Sequence, residues 1–334
     1  MKTRDILRVA LGLGVAAVFI WLTLRQVSLG EIGAAFAGTN LAFVGLGLLA
    51  LAAGYSARIQ RWRLMLADDN PNLRFSDCAG PFLSSFALNN VLPLRAGDMA
   101  RLFAYRGRLG ITLGTGAAAM FVERVLDMLA LLVLLGVALN IFGGAASELL
   151  GLGGIALIAI ALSLLAVLLI PALLSPAYKL GRSVLGLIPG GKGEGLIAEA
   201  DKAYDTLHKL AAGGRMVRLA GLSAVAWLFE GLTFFAAALA IPAIAEAAGA
   251  WLALPVGSLS TLLPSTPGYA GTFHYFVTQA MQSLGANIGA ATAYAVLIHA
   301  MLWLPITAAG GLAILFTAPW ARTKQTKKPT GAEA

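Results

Sequence analysis

Leu92-Pro93-Leu94-Arg95-Ala96-Gly97 closes a run of only 14 apolar residues, Ala79 to Leu92. Further along, Leu263-Pro264-Ser265-Thr266-Pro267-Gly268 closes a second run of 14, Trp251 to Pro264. Proline lacks a backbone N–H and clashes with the preceding turn, so each run stops there. A helix of that length reaches roughly 21 Å, against a hydrocarbon core about 30 Å thick. Both runs are too short to cross a membrane and read as re-entrant. Both motifs also share one pattern, Leu-Pro, three residues, then Gly, and each leads through a helical stretch into a long apolar span.

Working outward, six stretches are long enough to span. They are Leu7 to Leu24, Leu41 to Ala57, Ile111 to Phe142, Ile155 to Leu174, Leu219 to Ile241 and Ala286 to Phe316. Each half of the chain is then span, span, short run, long span. The first half starts inside and the second outside, so the expected fold is an all-α polytopic membrane protein. It has six full spans and two re-entrant broken-helix segments, arranged as an inverted repeat. Residues 1–150 form the first half and 151–320 the second. The second half carries a loop over 175–218, and 321–334 is a disordered basic tail.

Composition agrees. Of 334 residues 59% are hydrophobic and 12% charged, with a mean hydropathy of +0.82. Soluble domains carry about 25% charge. A soluble enzyme, a disordered chain and a secreted disulfide scaffold are excluded. Cys78, the single cysteine, permits no intrachain disulfide or cysteine-built metal site and reads as a small apolar filler.

The 24 Lys and Arg exceed the 16 Asp and Glu by 8, and basic residues mark the cytoplasmic side. Lys2, Arg4 and Arg8 precede the first span, which reads as an uncleaved helix because no small-residue cleavage site follows. Arg58, Arg61, Arg63 and Arg74 follow the second span, and Arg101, Arg106 and Arg108 the first short run. Lys179 to Arg218 and Arg322 to Lys328 complete the set. Both termini are expected in the cytoplasm of a bacterial-type inner membrane. Arg25, at the outer end of the first span, is the exception. Ser175 to Arg218 reads as an interfacial helix, with Ile197, Tyr204, Leu207 and Leu210 on one face. The basic tail implies no nucleic-acid partner.

The charges left inside the membrane are the candidates for function, since each costs about 2.5–3.5 kcal/mol to insert. Glu123, Arg124 and Asp127 share the third long helix, where they can neutralise one another at helical spacing. Arg95, Asp98 and Arg101 open the helix after the first broken segment. The second half offers Glu230, His274 and His299. Glu230 either pairs with Arg95, Arg101 or Arg124 to lock the halves, or those arginines bind an anionic headgroup and Glu230 competes for them or carries a proton. The histidines form either a proton relay or a hydrogen-bonded structural pair. Asn90, Pro93, Gly97, Pro264, Pro267, Gly268 and Gly271 shape the broken segments, whose helix starts suit anionic groups such as phosphate. Gly12, Gly14, Gly45 and Gly47 read as helix-packing positions. No metal-ligand spacing, nucleophilic triad or phosphate-cradling loop is present, so neither a catalytic residue nor a metal or cofactor is expected.

The chain resembles the lysylphosphatidylglycerol synthase transmembrane family, also called flippase-like. Three segments carry the resemblance. They are Asn90 to Arg101, then Glu123-Arg124-Val125-Leu126-Asp127, then Leu263-Pro264-Ser265-Thr266-Pro267-Gly268-Tyr269-Ala270-Gly271. The family's pattern has an acid where this chain has His274 and often an arginine where it has His299. Those departures mark a different substrate or a different proton relay. The resemblance implies a protein moving a lipid headgroup between leaflets, here without the aminoacyl transferase domain that accompanies it elsewhere. The leading expectation is a flippase for an anionic phospholipid or polyprenyl-phosphate-type lipid. The alternatives are a non-transporting scaffold for a cytoplasmic lipid- or glycan-synthesising enzyme, and an intramembrane lipid hydrolase.

Overall fold

A computed structural model describes Trp21 and residues 29–92, 95–142, 154–188, 191–263 and 267–317. The expected first span apart from Trp21, Arg25, Pro93 and Pro264 of the motifs, Gly12 and Gly14, and the tail lie outside the described residues. Among the described residues every regular element is a helix. In chain order they are α1 (Leu29–Phe36), α2 (Leu41–Leu66), α3 (Phe75–Val91), α4 (Ala96–Met99, continued by a π turn over Ala100–Ala104), α5 (Arg106–Leu109) and α6 (Leu113–Phe142). There follow α7 (Gly154–Leu169), α8 (Ser175–Leu185), α9 (Gly191–Ala211), α10 (Arg215–Ala240), α11 (Ala250–Ser260), α12 (Thr272–Gln282) and α13 (Ile288–Thr317).

Four helices are long and apolar enough to cross a membrane, namely α2, α6, α10 and Ile288–Phe316 within α13. A bent pair, Ala159–Leu169 and Pro171–Leu185, makes a fifth crossing if counted as one. The chain is a multi-pass membrane protein. Large apolar side chains such as Leu46, Leu49, Val133, Ile141, Leu304 and Leu312 stand bare on the outside, as a hydrocarbon solvent allows and water does not.

The structure corrects the expected fourth span, Ile155 to Leu174. The helix ends at Leu169, a 3₁₀ turn runs over Pro171–Leu174, and the chain bends by 96°. Pro171 supplies no N–H to continue the ladder and disfavours helical backbone at Ile170. The short runs also shift. α3 starts earlier, at Phe75, where the Asp77 carboxylate accepts the Arg74 N–H at 2.9 Å. α11 stops at Ser260.

α2 and α10 lie antiparallel along most of their length. Asn40 begins α2 by accepting from the Ala42 N–H at 3.0 Å, and its own N–H donates to the Ala240 carbonyl at 2.8 Å. Small residues let the backbones approach. A methyl group on Gly54 would lie 3.2 Å from the Ala226 carbonyl oxygen, and one on Gly47 would lie 3.3 Å from the Ala236 Cβ. Gly45, expected to pack likewise, faces open space. Two further contacts answer each other: α3 packs on α13 and α11 packs on α6.

The 175–218 segment folds into two helices, α8 and α9, in place of the single interfacial helix expected. The stacked rings of Tyr178 and Tyr204, 4.3 Å apart, join them. α9 is clamped to the bundle. Glu199 accepts from the Gly114 N–H at 2.7 Å and Lys202 meets Asp69 at 2.8 Å, while Arg215, at the start of α10, meets Asp68 at 2.8 Å. Burial on its own would raise the Asp69 carboxyl, but hydrogen bonds from Lys202 and Thr112 outweigh it and hold it at about 2. A carboxylate held below its unfolded value of about 3.9 stabilises the fold fully above that value and loses the contribution as pH falls. Asp69→Asn should therefore lower the melting temperature of the detergent-solubilised protein at neutral pH. The gap from the unsubstituted protein should close as pH falls from about 4 towards about 2.

Candidate functional site

Two hairpins build the site. α3 ends at Val91, and the chain turns back through Arg95, whose backbone is left-handed (φ 52°). α4 then returns along α3 so closely that a methyl group on Gly97 would lie 1.7 Å from the Ser85 carbonyl oxygen. Asn89 clamps the return, accepting from the Asp98 N–H at 3.2 Å and donating to its carboxylate at 2.9 Å. α11 and α12 form the second hairpin, with Gly257 against Val277 and Phe273. Its turn passes through Gly268 (φ 74°), Tyr269 (φ 58°) and Gly271 (φ 89°). Arg95 and Tyr269 are the two non-glycine residues with positive φ among the described residues, one in each turn. Such backbone costs of order 1–3 kcal/mol and persists only where its surroundings over-determine it.

The turns touch. A methyl group on Gly268 would come within 3.3 Å of the Asn90 carbonyl oxygen and 2.7 Å of the Trp303 indole nitrogen. Asn90 in turn donates to the Thr307 hydroxyl at 2.8 Å, fixing the first turn to α13. The second turn is held by the histidines, which the structure brings together. The Gly271 N–H donates to His274 Nδ1 at 3.2 Å, His274 Nε2 and His299 Nδ1 are 3.0 Å apart, and His299 Nε2 lies 2.8 Å from the Gly268 carbonyl oxygen. A backbone N–H only donates and a carbonyl only accepts. The two ends therefore set both tautomers: His274 and His299 are each protonated at Nε2 and each accept at Nδ1.

Around these turns four arginines meet four carboxylates, each pair joining different elements. Arg58 of α2 pairs with Glu230 of α10. Arg61 of α2 reaches Asp127 of α6 with two hydrogen bonds, 2.8 and 3.3 Å, and Ser223 at 2.6 Å. Trp227 also donates to Asp127, at 3.2 Å. Arg101 holds Glu123 by a bidentate pair of 3.1 and 2.8 Å, with the two side chains 2% and 1% exposed. Arg124 meets Asp98 at 2.8 Å.

These pairings correct three expectations. Glu230 is not matched by Arg95, Arg101 or Arg124. Glu123 and Arg124 keep a contact of 4.0 Å, but the shorter pairs of Glu123, Arg124 and Asp127 reach out to three other partners. Arg58 and Arg61, assigned to the cytoplasmic side as orientation marks, are buried inside the bundle because α2 runs on to Leu66. Charge count ended the span too early, since a guanidinium matched by a carboxylate on a neighbouring helix no longer has to reach water.

A cavity of about 260 Å³ opens where the turns face each other. Arg58, Arg95, Arg124, Asp127 and Glu230 bring charge to it, together with Asn90, Gly268 and His299. Tyr55, Trp227, Tyr269 and Trp303 supply aromatic walls. Asp98, Arg101 and Glu123 lie outside its lining. Arg95 makes no hydrogen bond or ion pair with another described residue, and the buried Arg58 Nε has no hydrogen-bond partner. The restarted helix α4 has four residues before its π turn, so the positive charge here belongs to guanidinium groups and not to a helix end.

Over residues 9–310 the sequence matches the family described as "Lysylphosphatidylglycerol synthase TM region". The chain belongs to that family. It is also 26% identical over 333 residues to a protein of Haloferax volcanii named "Glycosyltransferase AglD". The match covers 90% of this chain and 52% of that protein, so the chain spans about half the length of this relative. His274 and His299 hold the strained turn with imidazoles.

The arginine pairs are testable as locks. Breaking a buried pair leaves an uncompensated charge and costs about 3–5 kcal/mol, whereas replacing both partners with apolar side chains is often nearly neutral. Arg101→Met should depress the melting temperature strongly, and Arg101→Met combined with Glu123→Leu should recover most of the loss.

Proposed function

We propose that this protein is a lipid flippase of a bacterial-type inner membrane, with both termini cytoplasmic. It moves an anionic phospholipid or polyprenyl-phosphate-type headgroup between leaflets. The observation that carries the proposal is the cavity at the meeting of two strained turns, with one guanidinium left unmatched beside it. The α3–α4 and α11–α12 hairpins are the re-entrant broken segments of an inverted repeat whose halves are 1–150 and 151–320. The reciprocal packing of α3 on α13 and of α11 on α6 supports this, as does the pairing of α2 with α10. Transporters built this way place the substrate between the halves.

In this proposal the headgroup phosphate accepts hydrogen bonds from Arg95 and, in exchange with Glu230, from the Arg58 guanidinium. Glu230 and the phosphate then compete for Arg58. Arrival of the lipid loosens the α2–α10 pair, and departure restores it, so the carboxylate resets the site. A polar headgroup is costly to move through hydrocarbon unaided, and the polar cavity lowers that cost.

A membrane scaffold for a glycan-synthesising enzyme is a second reading, favoured by the glycosyltransferase name of the Haloferax relative. Its docking surface would be α8, where Leu180 and Val184 stand exposed on one face. The two readings separate in proteoliposomes carrying a labelled anionic lipid. Arg95→Ala should slow transbilayer movement by about tenfold or more, the worth of a hydrogen bond to a charged group. Replacing Leu180 and Val184 with serine should leave that movement intact. Movement that survives Arg95→Ala unchanged would rule out the proposed site.

A further inference from the structure

We infer that the cavity takes a single-phosphodiester lipid, with one net negative charge on phosphorus and, beyond it, a small uncharged headgroup bearing hydroxyls. The inference rests on the lipid-moving reading above and names its substrate class.

Charge balance comes first. The arginines that line the cavity or belong to the ion-pair network of its lining are Arg58, Arg61, Arg95, Arg101 and Arg124. The carboxylates of that network are Asp98, Glu123, Asp127 and Glu230, Glu123 lying 4.0 Å from Arg124 as well as against Arg101. Five cations against four anions leave one positive charge, and it resides on Arg95. One phosphodiester neutralises it. A phosphomonoester or pyrophosphate brings a further negative charge, which could be matched only by expelling Glu230 or Asp127 from its arginine.

An ammonium group finds no place. Asp127 is already held by Arg61 and Trp227, and Glu230 by Arg58. Two of the aromatic walls that would attract a cation, Trp227 and Tyr55, are taken as well. The Arg58 guanidinium lies 4.7 Å from the centre of the Trp227 ring and 5.9 Å from that of Tyr55. An ethanolamine or choline ammonium would meet no carboxylate free of an arginine, and a lysyl headgroup with two ammonium groups fares worse. The remaining polar lining is uncharged: Asn90, Ser258 and Thr261 suit hydroxyls. The volume of about 260 Å³ falls just under the roughly 300–1,000 Å³ of most ligand pockets, so the headgroup is small. Two sources share this chemistry, a glycerolipid with a glycerol headgroup and a polyprenyl phosphate bearing one sugar.

The test reconstitutes the full chain in phosphatidylcholine vesicles with trace fluorescent lipids. Five are compared: phosphatidylglycerol, a hexosylphosphoprenol, phosphatidylethanolamine, lysylphosphatidylglycerol and, at mildly alkaline pH, phosphatidic acid. Movement is read as loss of label from the outer leaflet, and binding as quenching of tryptophan fluorescence. At least one of the first two should be bound and moved about tenfold better than the other three, the scale of one mismatched charge. Whichever of the two prevails identifies the source. Glu230→Gln adds one positive charge to the site and should shift binding towards phosphatidic acid. Arg95→Gln removes one and should erase the preference for the monoanion without that shift. If the ethanolamine or lysyl lipid moves as well as phosphatidylglycerol, the substrate class is wrong and the flippase reading stands. If binding is selective as stated but nothing moves, translocation is wrong and the headgroup assignment stands. If nothing binds selectively and nothing moves, both fail.

Discussion

An arginine stays inside an apolar bundle only when a carboxylate comes to meet it, and the places where that happens determine how these helices are arranged. Arg58 and Arg61 draw α10 and α6 to α2, while Arg101 and Arg124 tie the π turn and α4 to α6. Two of the contacts are bidentate, and a planar guanidinium fork meeting a carboxylate specifies orientation as well as distance. Lipid-facing packing among leucines, alanines and glycines tolerates sliding. Paired charges do not, because a shift of one turn leaves a buried ion unmatched.

The hairpins depend on the same constraint. α4 is only four residues long, too little to hold a position by itself. Its place is secured by Asp98, which answers Arg124, and by Gly97, which admits the backbone of α3. With α4 secured, Arg95 is forced into its left-handed backbone and toward the cavity, where no carboxylate reaches it. The unmatched guanidinium at the cavity thus follows from geometry that serves the matched ones.

Much of this could be read from the chain. The two short runs lead to the turns that meet at the cavity, and of the residues singled out from the chain Arg95, Arg124, Asp127, Glu230 and His299 line it. What the pattern could not supply was partnership. Arg58 and Arg61 stand beside Arg63 in a row of three basic residues, and locally that row looks the same whether it faces water or a carboxylate on a helix 66 or 172 residues away. Trp227 and Tyr55 were invisible for a related reason: apolar neighbours along the chain conceal the indole N–H that Asp127 uses. The bend at Pro171 was legible in principle, because a proline after a beta-branched residue is a strong stop signal. Hydropathy averaged over the window hid it.

The histidine chain at the second turn has a further consequence. Proton conduction through imidazoles requires each ring to receive a proton on one nitrogen, release it from the other, and then swap tautomers. Here the receiving end is the Gly271 N–H, which has no lone pair to hand on a proton, and the delivering end is the Gly268 carbonyl, a poor base. The wire is blocked at both ends for as long as the turn is closed. A proton can enter it only if Gly271 lets go of His274, and Gly271 belongs to the same turn that forms one wall of the cavity.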